Sequence, residues 1–165
     1  MARVPMIDPE QLTGQEKEVL EAHLAKGYHL TNEKRTLLHS APAFLAIEEG
    51  SYAVDTELAQ IVGKRAADMY EYVISEQNDC IVCSTYFRKL FKETGVDLET
   101  FVPTDDEALL IEFAKALADD PMHVPAELKD RMQARWDDRA FVTIVAQGIM
   151  MLANNYYNEI MEVDV

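Results

Sequence analysis

The chain has only two cysteines, and they stand three residues apart in Asp79-Cys80-Ile81-Val82-Cys83-Ser84. On a helix, residues i and i+3 project from nearly the same face, so this spacing brings two thiols within disulfide reach. Three chemistries fit such a pair: a redox dithiol, half of a metal site, or two small apolar residues buried for packing. Zinc usually needs four ligands, and His23, His29, His39 and His123 form no ligand-spaced cluster. Neither a metal nor another cofactor is expected.

The elements that must position the pair read as helices. Glycine and proline together number 12, no alternating Val/Ile/Thr run appears, and apolar residues recur at spacings of three and four. The expected fold is an all-α array in one domain over 1–165. Thr13 with Glu16 suggests a capping box for a helix through about Lys26. Thr31 can cap a shorter helix, and Pro42 opens another that is expected to end near Gly50. Asp55 precedes an expected long helix over about 57–75, leading to the cysteines. Asn78 or Asp79 is the expected cap of a helix that carries the CxxC in its first turn and stops at Gly95. Thr104 with Glu107 is a second capping box, Pro125 opens another helix, and Asp137 or Asp138 caps a last apolar one to about Met161. A helix N-terminus carries free N–H groups and partial positive charge, both of which favour a thiolate.

Composition narrows the partners. Acidic residues outnumber basic ones 30 to 15, for a formal charge of −15. That charge repels phosphate backbones and anionic lipid, so neither nucleic acid nor a membrane is an expected partner. The first nine residues hold no apolar run, and the apolar stretch around 141–153 is broken by Thr143, Gln147 and Gly148, too short to span a bilayer. A cytoplasmic location is expected, where a CxxC would rest as the dithiol.

The stretch from Arg65-Ala66-Ala67-Asp68 through Asn78-Asp79-Cys80-Ile81-Val82-Cys83 to Gly95-Val96 resembles the carboxymuconolactone decarboxylase-like superfamily, in particular its alkylhydroperoxidase D-like branch. Thr36-Leu37-Leu38-His39-Ser40-Ala41-Pro42 upstream and the apolar helix from Phe141 to Tyr157 followed by a late asparagine extend the likeness. The resemblance implies an alkylhydroperoxidase D-type helical fold, a homo-oligomer (trimer or hexamer) and an antioxidant role. It implies a small peroxide or disulfide as substrate, and a thiol reductant or peroxiredoxin as partner. It also implies Asp68 at the acidic relay position, Cys83 as the sulfur that meets peroxide and Cys80 as the one that resolves it.

Two departures bear on that chemistry. The branch carries histidine four residues after the second cysteine and often just before it, whereas this chain has Phe87 and Val82. Phenylalanine cannot shuttle a proton, and its ring disfavours a thiolate by desolvation. Peroxide reduction is expected to be weaker than the resemblance alone implies. Glu71 and Glu76 could stand in beside Asp68, though all three read equally as a solvated helix face. Tyr86 and Ser84 offer hydroxyls close to the dithiol in sequence, and Arg88 and Lys89 could hold a thiolate or balance the surface. His39 could replace the missing base if it folded back over the pair. Trp136, Met150, Met151, Met161 and Tyr156-Tyr157 read as core or subunit interface. The expected function is a CxxC thiol-disulfide oxidoreductase or weak peroxidase. The alternatives are a decarboxylase-like lyase and a non-catalytic, redox-responsive helical oligomer.

Overall fold

A computed structural model of the protein describes residues 2–165. Among them there are helices and no strand, as the spacing of apolar residues requires. After a 3₁₀ turn at Pro9–Gln11 come α1 (Gly14–Ala25), α2 (Asn32–Leu37), α3 (Ala41–Phe44), a widened π turn (Leu45–Glu49), α4 (Gly50–Val62), α5 (Lys64–Gln77), α6 (Ile81–Thr94), α7 (Asp105–Asp119), α8 (Ala126–Arg135) and α9 (Asp138–Ile160).

Helix α5 is the hub, packing on α4, α6, α7 and α9. Its Ala67, Tyr70 and Ile74 are fully buried in a core shared with Phe87, Phe91, Leu110, Phe113, Leu117 and Ile144. Tyr70 donates its hydroxyl to the Ile144 carbonyl at 3.0 Å, and Gly148 of α9 lies against Tyr70 and Leu117 so closely that a Cβ there would collide with both. A smaller cluster, Leu20, Leu37, Leu38 and Phe44, holds α1–α3 together and takes Tyr157 of α9 as a partner.

Several local expectations change. Helical structure does not stop at Gly50 but continues through the π turn into α4. The expected helix over 57–75 is two helices divided at Gly63, whose φ of 88° and ψ of 145° suit only glycine. The Thr13 side chain makes no capping bond. Neither Asn78 nor Asp79 caps α6, because both end α5. Asp79 takes the left-handed conformation at φ 54°, and the Cys80 N–H reaches back to the Ser75 carbonyl at 3.0 Å, a Schellman-type ending. Cys80 itself is thereby left as the cap of α6. The Thr104–Glu107 capping box, the Asp137 cap of α9 and the left-handed Gly95 after α6 form as their residue types dictate.

Candidate functional site

The tight reversal between α5 and α6 turns the Cys80 side chain over the first turn of α6, where its sulfur accepts the Cys83 N–H at 3.3 Å. The two cysteines lie at disulfide distance, with Cα atoms 5.4 Å apart. Both are buried, but differently placed. Cys83 lines a cavity of about 150 Å³, and Cys80 stands behind it. From the other side, Asn158 of α9 donates its side-chain N–H to Cys83 Sγ at 3.3 Å.

The cavity lies between the N-terminal layer, represented by Glu33, Lys34, Glu48, Tyr52 and Asp55, and a wall from α5, α6 and α9 that includes Asp68, Glu71, Cys83, Tyr86, Phe87 and Gln147. Of the residues singled out in the sequence, the structure brings Cys83, Asp68, Glu71 and Tyr86 together here. Asp68 and Glu71 are 3% and 5% exposed, so they do not belong to a solvated face. Asp68 accepts from Lys64 at 2.6 Å, and Lys64 also lies 3.6 Å from Asp55. Burial nonetheless holds the Asp68 carboxyl above the usual range. Burial alone would lower the Lys64 ammonium, but Asp68, Asp55 and Glu71 push it up to about 12.

Glu71 accepts the Gln147 amide at 2.7 Å. Full burial, with the charge of Asp55 beside it, raises Glu71 well above an ordinary carboxylate. The buried Asp55 Oδ1 beside it has no hydrogen-bond partner. Tyr86 is half exposed at the cavity wall.

Other candidates are engaged elsewhere. Glu76 is half-buried and takes Arg88 through both carboxylate oxygens at 2.8 Å, so that guanidinium balances a surface rather than a thiolate. Lys89 faces Glu93. Ser84 is buried, but its hydroxyl turns back to the Ile81 carbonyl at 3.4 Å. His39 is exposed and bound through Nε2 to the Pro5 carbonyl at 2.8 Å, and among the described residues no histidine lines the cavity. His23, wholly buried, bonds Glu49 instead.

No family model, no curated protein and no solved structure matches this chain. Its chemistry is therefore read from the groups in the cavity. Among the described residues no cluster of His, Cys, Asp or Glu is arranged to hold a metal ion. No helix is long and apolar enough to cross a membrane.

Sequence reasoning overlooked the other half of the site. Lys34, 2% exposed, donates to the His29 carbonyl at 2.7 Å and Tyr52 Oη at 2.9 Å, and lies 3.6 Å from Glu48. Burial lowers this ammonium and raises Glu48, each partly restoring the other. Glu33, on the same short helix, is pushed up to about 8 by burial and by Glu48, against the opposing pull of Asn158 and Lys34. A signal for Asn158 was present: Gln147, Asn155 and Asn158 are polar residues on the buried stripe of α9 that also carries Ile144 and Met151. No comparable pattern marks α2, which is only six residues long.

Proposed function

We propose that the protein reduces small hydroperoxides through a Cys80–Cys83 dithiol, a CxxC-dependent peroxidase of the kind that its resemblance to the alkylhydroperoxidase D-like branch implies. One observation carries this reading: Cys83 alone of the pair lines the carboxyl-bearing cavity, while Cys80 lies at resolving distance outside its lining.

The steps follow from that placement. The Cys83 thiolate attacks the distal oxygen of the hydroperoxide, an S–O bond forms and the O–O bond breaks. Sulfur is oxidised to the sulfenic acid, and the hydroperoxide leaves as an alcohol once its oxygen takes a proton. Cys80 then attacks Cys83, water departs and the disulfide forms. An external dithiol returns both thiols to the reduced state by exchange. The Cys83 N–H on Cys80 and the Asn158 amide on Cys83 supply the donors that stabilise a sulfur anion in place of histidine.

The cavity also bears on substrate choice. About 150 Å³ holds a few waters or one small organic molecule. Five carboxyl side chains against two lysines in its lining disfavour an anionic ligand, which weighs against the lyase alternative with its carboxylate substrate. Peroxide consumption driven by a small dithiol such as dithiothreitol tests the proposal. Cys83→Ser is expected to fall to the uncatalysed background. Cys80→Ser is expected to stop after one equivalent, with a sulfenic acid trapped on Cys83. Full turnover in both variants would overturn the reading.

A further inference from the structure

We propose that Glu33 is the acid and base of the Cys83 site, taking the thiol proton and handing it to the oxygen that leaves the hydroperoxide, while Asn158 positions both groups. This rests on the peroxidase reading and adds the proton carrier that Val82 and Phe87 cannot be.

The assignment comes from comparing the carboxyls around the cavity. Asp68 is held by Lys64, Glu71 by Gln147 and Glu48 by the nearby Lys34. Glu33 and Asp55 each keep a buried oxygen with no hydrogen-bond partner, but Asp55 also faces Lys64 at 3.6 Å through its other oxygen. Glu33 lines the same cavity as Cys83, and Asn158, whose amide favours the charged form of Glu33, donates to Cys83 Sγ at 3.3 Å. A carboxyl, an amide and the sulfur are thus drawn from α2, α9 and α6 to one cavity. Asn158 Oδ1 is buried and unpartnered as well.

The groups that set the ionisation of Glu33 come from every element around it. Lys34 on its own helix favours the carboxylate, as does Asn158 from α9. Glu48 from the π turn opposes it. Tyr52 from α4 and Tyr157 from α9 are neutral neighbours whose own ionisation the Glu33 charge suppresses. Burial outweighs the favourable contacts and brings the carboxyl near 8, close to an ordinary thiol at about 8.5. A carboxyl raised this far can both take and return a proton near neutral pH, as general acid–base catalysis requires.

The proton balance closes. Cys83–SH gives its proton to the Glu33 carboxylate. The thiolate attacks the distal oxygen, which keeps its hydrogen and becomes the sulfenic acid. The departing alkoxide takes the proton from Glu33, which is again a carboxylate. Cavity water can span any gap between the carboxyl and the leaving oxygen.

The test separates this role from the peroxidase reading. In full-length Cys80→Ser protein, where Cys83 is the sole thiol, the rate of alkylation by iodoacetamide is followed from pH 5 to 10. Two coupled steps are expected, collapsing to one in Cys80→Ser/Glu33→Gln. Superimposable profiles would overturn the assignment whether or not the protein reduces peroxide. Should Glu33→Gln not fold, the Cys80→Ser profile decides alone, a single ionisation counting against Glu33. In the chain with both cysteines, Glu33→Gln is expected to lower kcat for hydrogen peroxide about 100-fold with KM little changed, and unchanged kcat would also overturn it. Asn158→Ala is expected to move the Cys83 step to higher pH, and a step that stays in place would remove Asn158 from the positioning role.

Discussion

Helix α5 separates two buried regions of opposite character. On one side Ala67, Tyr70 and Ile74 meet Phe113, Leu117 and Gly148 in a close-packed apolar core, where the buried Tyr70 hydroxyl finds a carbonyl. On the other side Asp68 and Glu71 face α2, the π turn and α9 across a cavity whose rim holds Lys34, Glu48 and Glu33. The first region satisfies every rule of packing. The second keeps buried oxygens on Glu33, Asp55, Gln147 and Asn158 without partners. Such groups are expensive to bury, and an acid–base role at this cavity would account for their presence beside Cys83.

The contrast can be broken by mutation, and pH is the discriminating variable. Phe113→Ala empties part of the apolar core and is expected to cost about 3–5 kcal/mol in urea unfolding, equally at pH 5 and pH 8. A strongly pH-dependent loss would show that the two regions are not separate.

Lys34→Met should behave differently. At pH 8 it removes the cation that offsets Glu48 and Glu33, a loss of about 3 kcal/mol. Near pH 5 Glu33 is protonated in the folded state, burial shifts Glu48 the same way and the buried ammonium is itself a cost, so the variant is expected to lose much less than at pH 8. The sign follows from linkage. A carboxyl whose folded pKa is raised keeps its proton longer in the folded chain, so stability is greatest below the unfolded value near 4.5 and falls as pH rises toward about 8. Glu33→Gln is accordingly expected to flatten this fall, measured as melting temperature against pH.

Tyr70→Phe gives the smallest effect. Loss of one hydroxyl to the Ile144 carbonyl leaves that acceptor in its own helix, and about 1 kcal/mol is expected at any pH. An effect on peroxide turnover would show that the core and the cavity communicate through α5.

Legibility followed the range of the interactions. The Thr104–Glu107 box, the Asp137 cap and the stop at Gly95 depend on neighbours within a few residues, and their residue types announce them. Apolar periodicity continues across Gly63, so it conceals the break between α4 and α5, which the glycine's backbone conformation imposes. At the junction of α5 and α6, Asp79 had two local roles open to it, as cap of one helix or end of the other. The second prevailed because it satisfies the carbonyls that α5 leaves free.

In the site, Cys80, Cys83 and Tyr86 share one helix and Asp68 and Glu71 the one before it, so short spacings exposed them as candidates. Glu33 and Asn158 lie on segments more than a hundred residues apart, and nothing local connects them.

The sequence by itself determined the helical class, most helix ends and the pair of thiols with no histidine beside them, because propensity, capping and i, i+3 spacing are local. Only the tertiary structure decided that Cys83 faces the cavity and Cys80 does not, that Asp68 and Glu71 are buried, and that Glu33 lines the same cavity as Cys83. Those outcomes depend on how α2 and α9 close over α5 and α6, and on the desolvation that closure imposes on carboxyls which, along the chain, look like any other acidic residue.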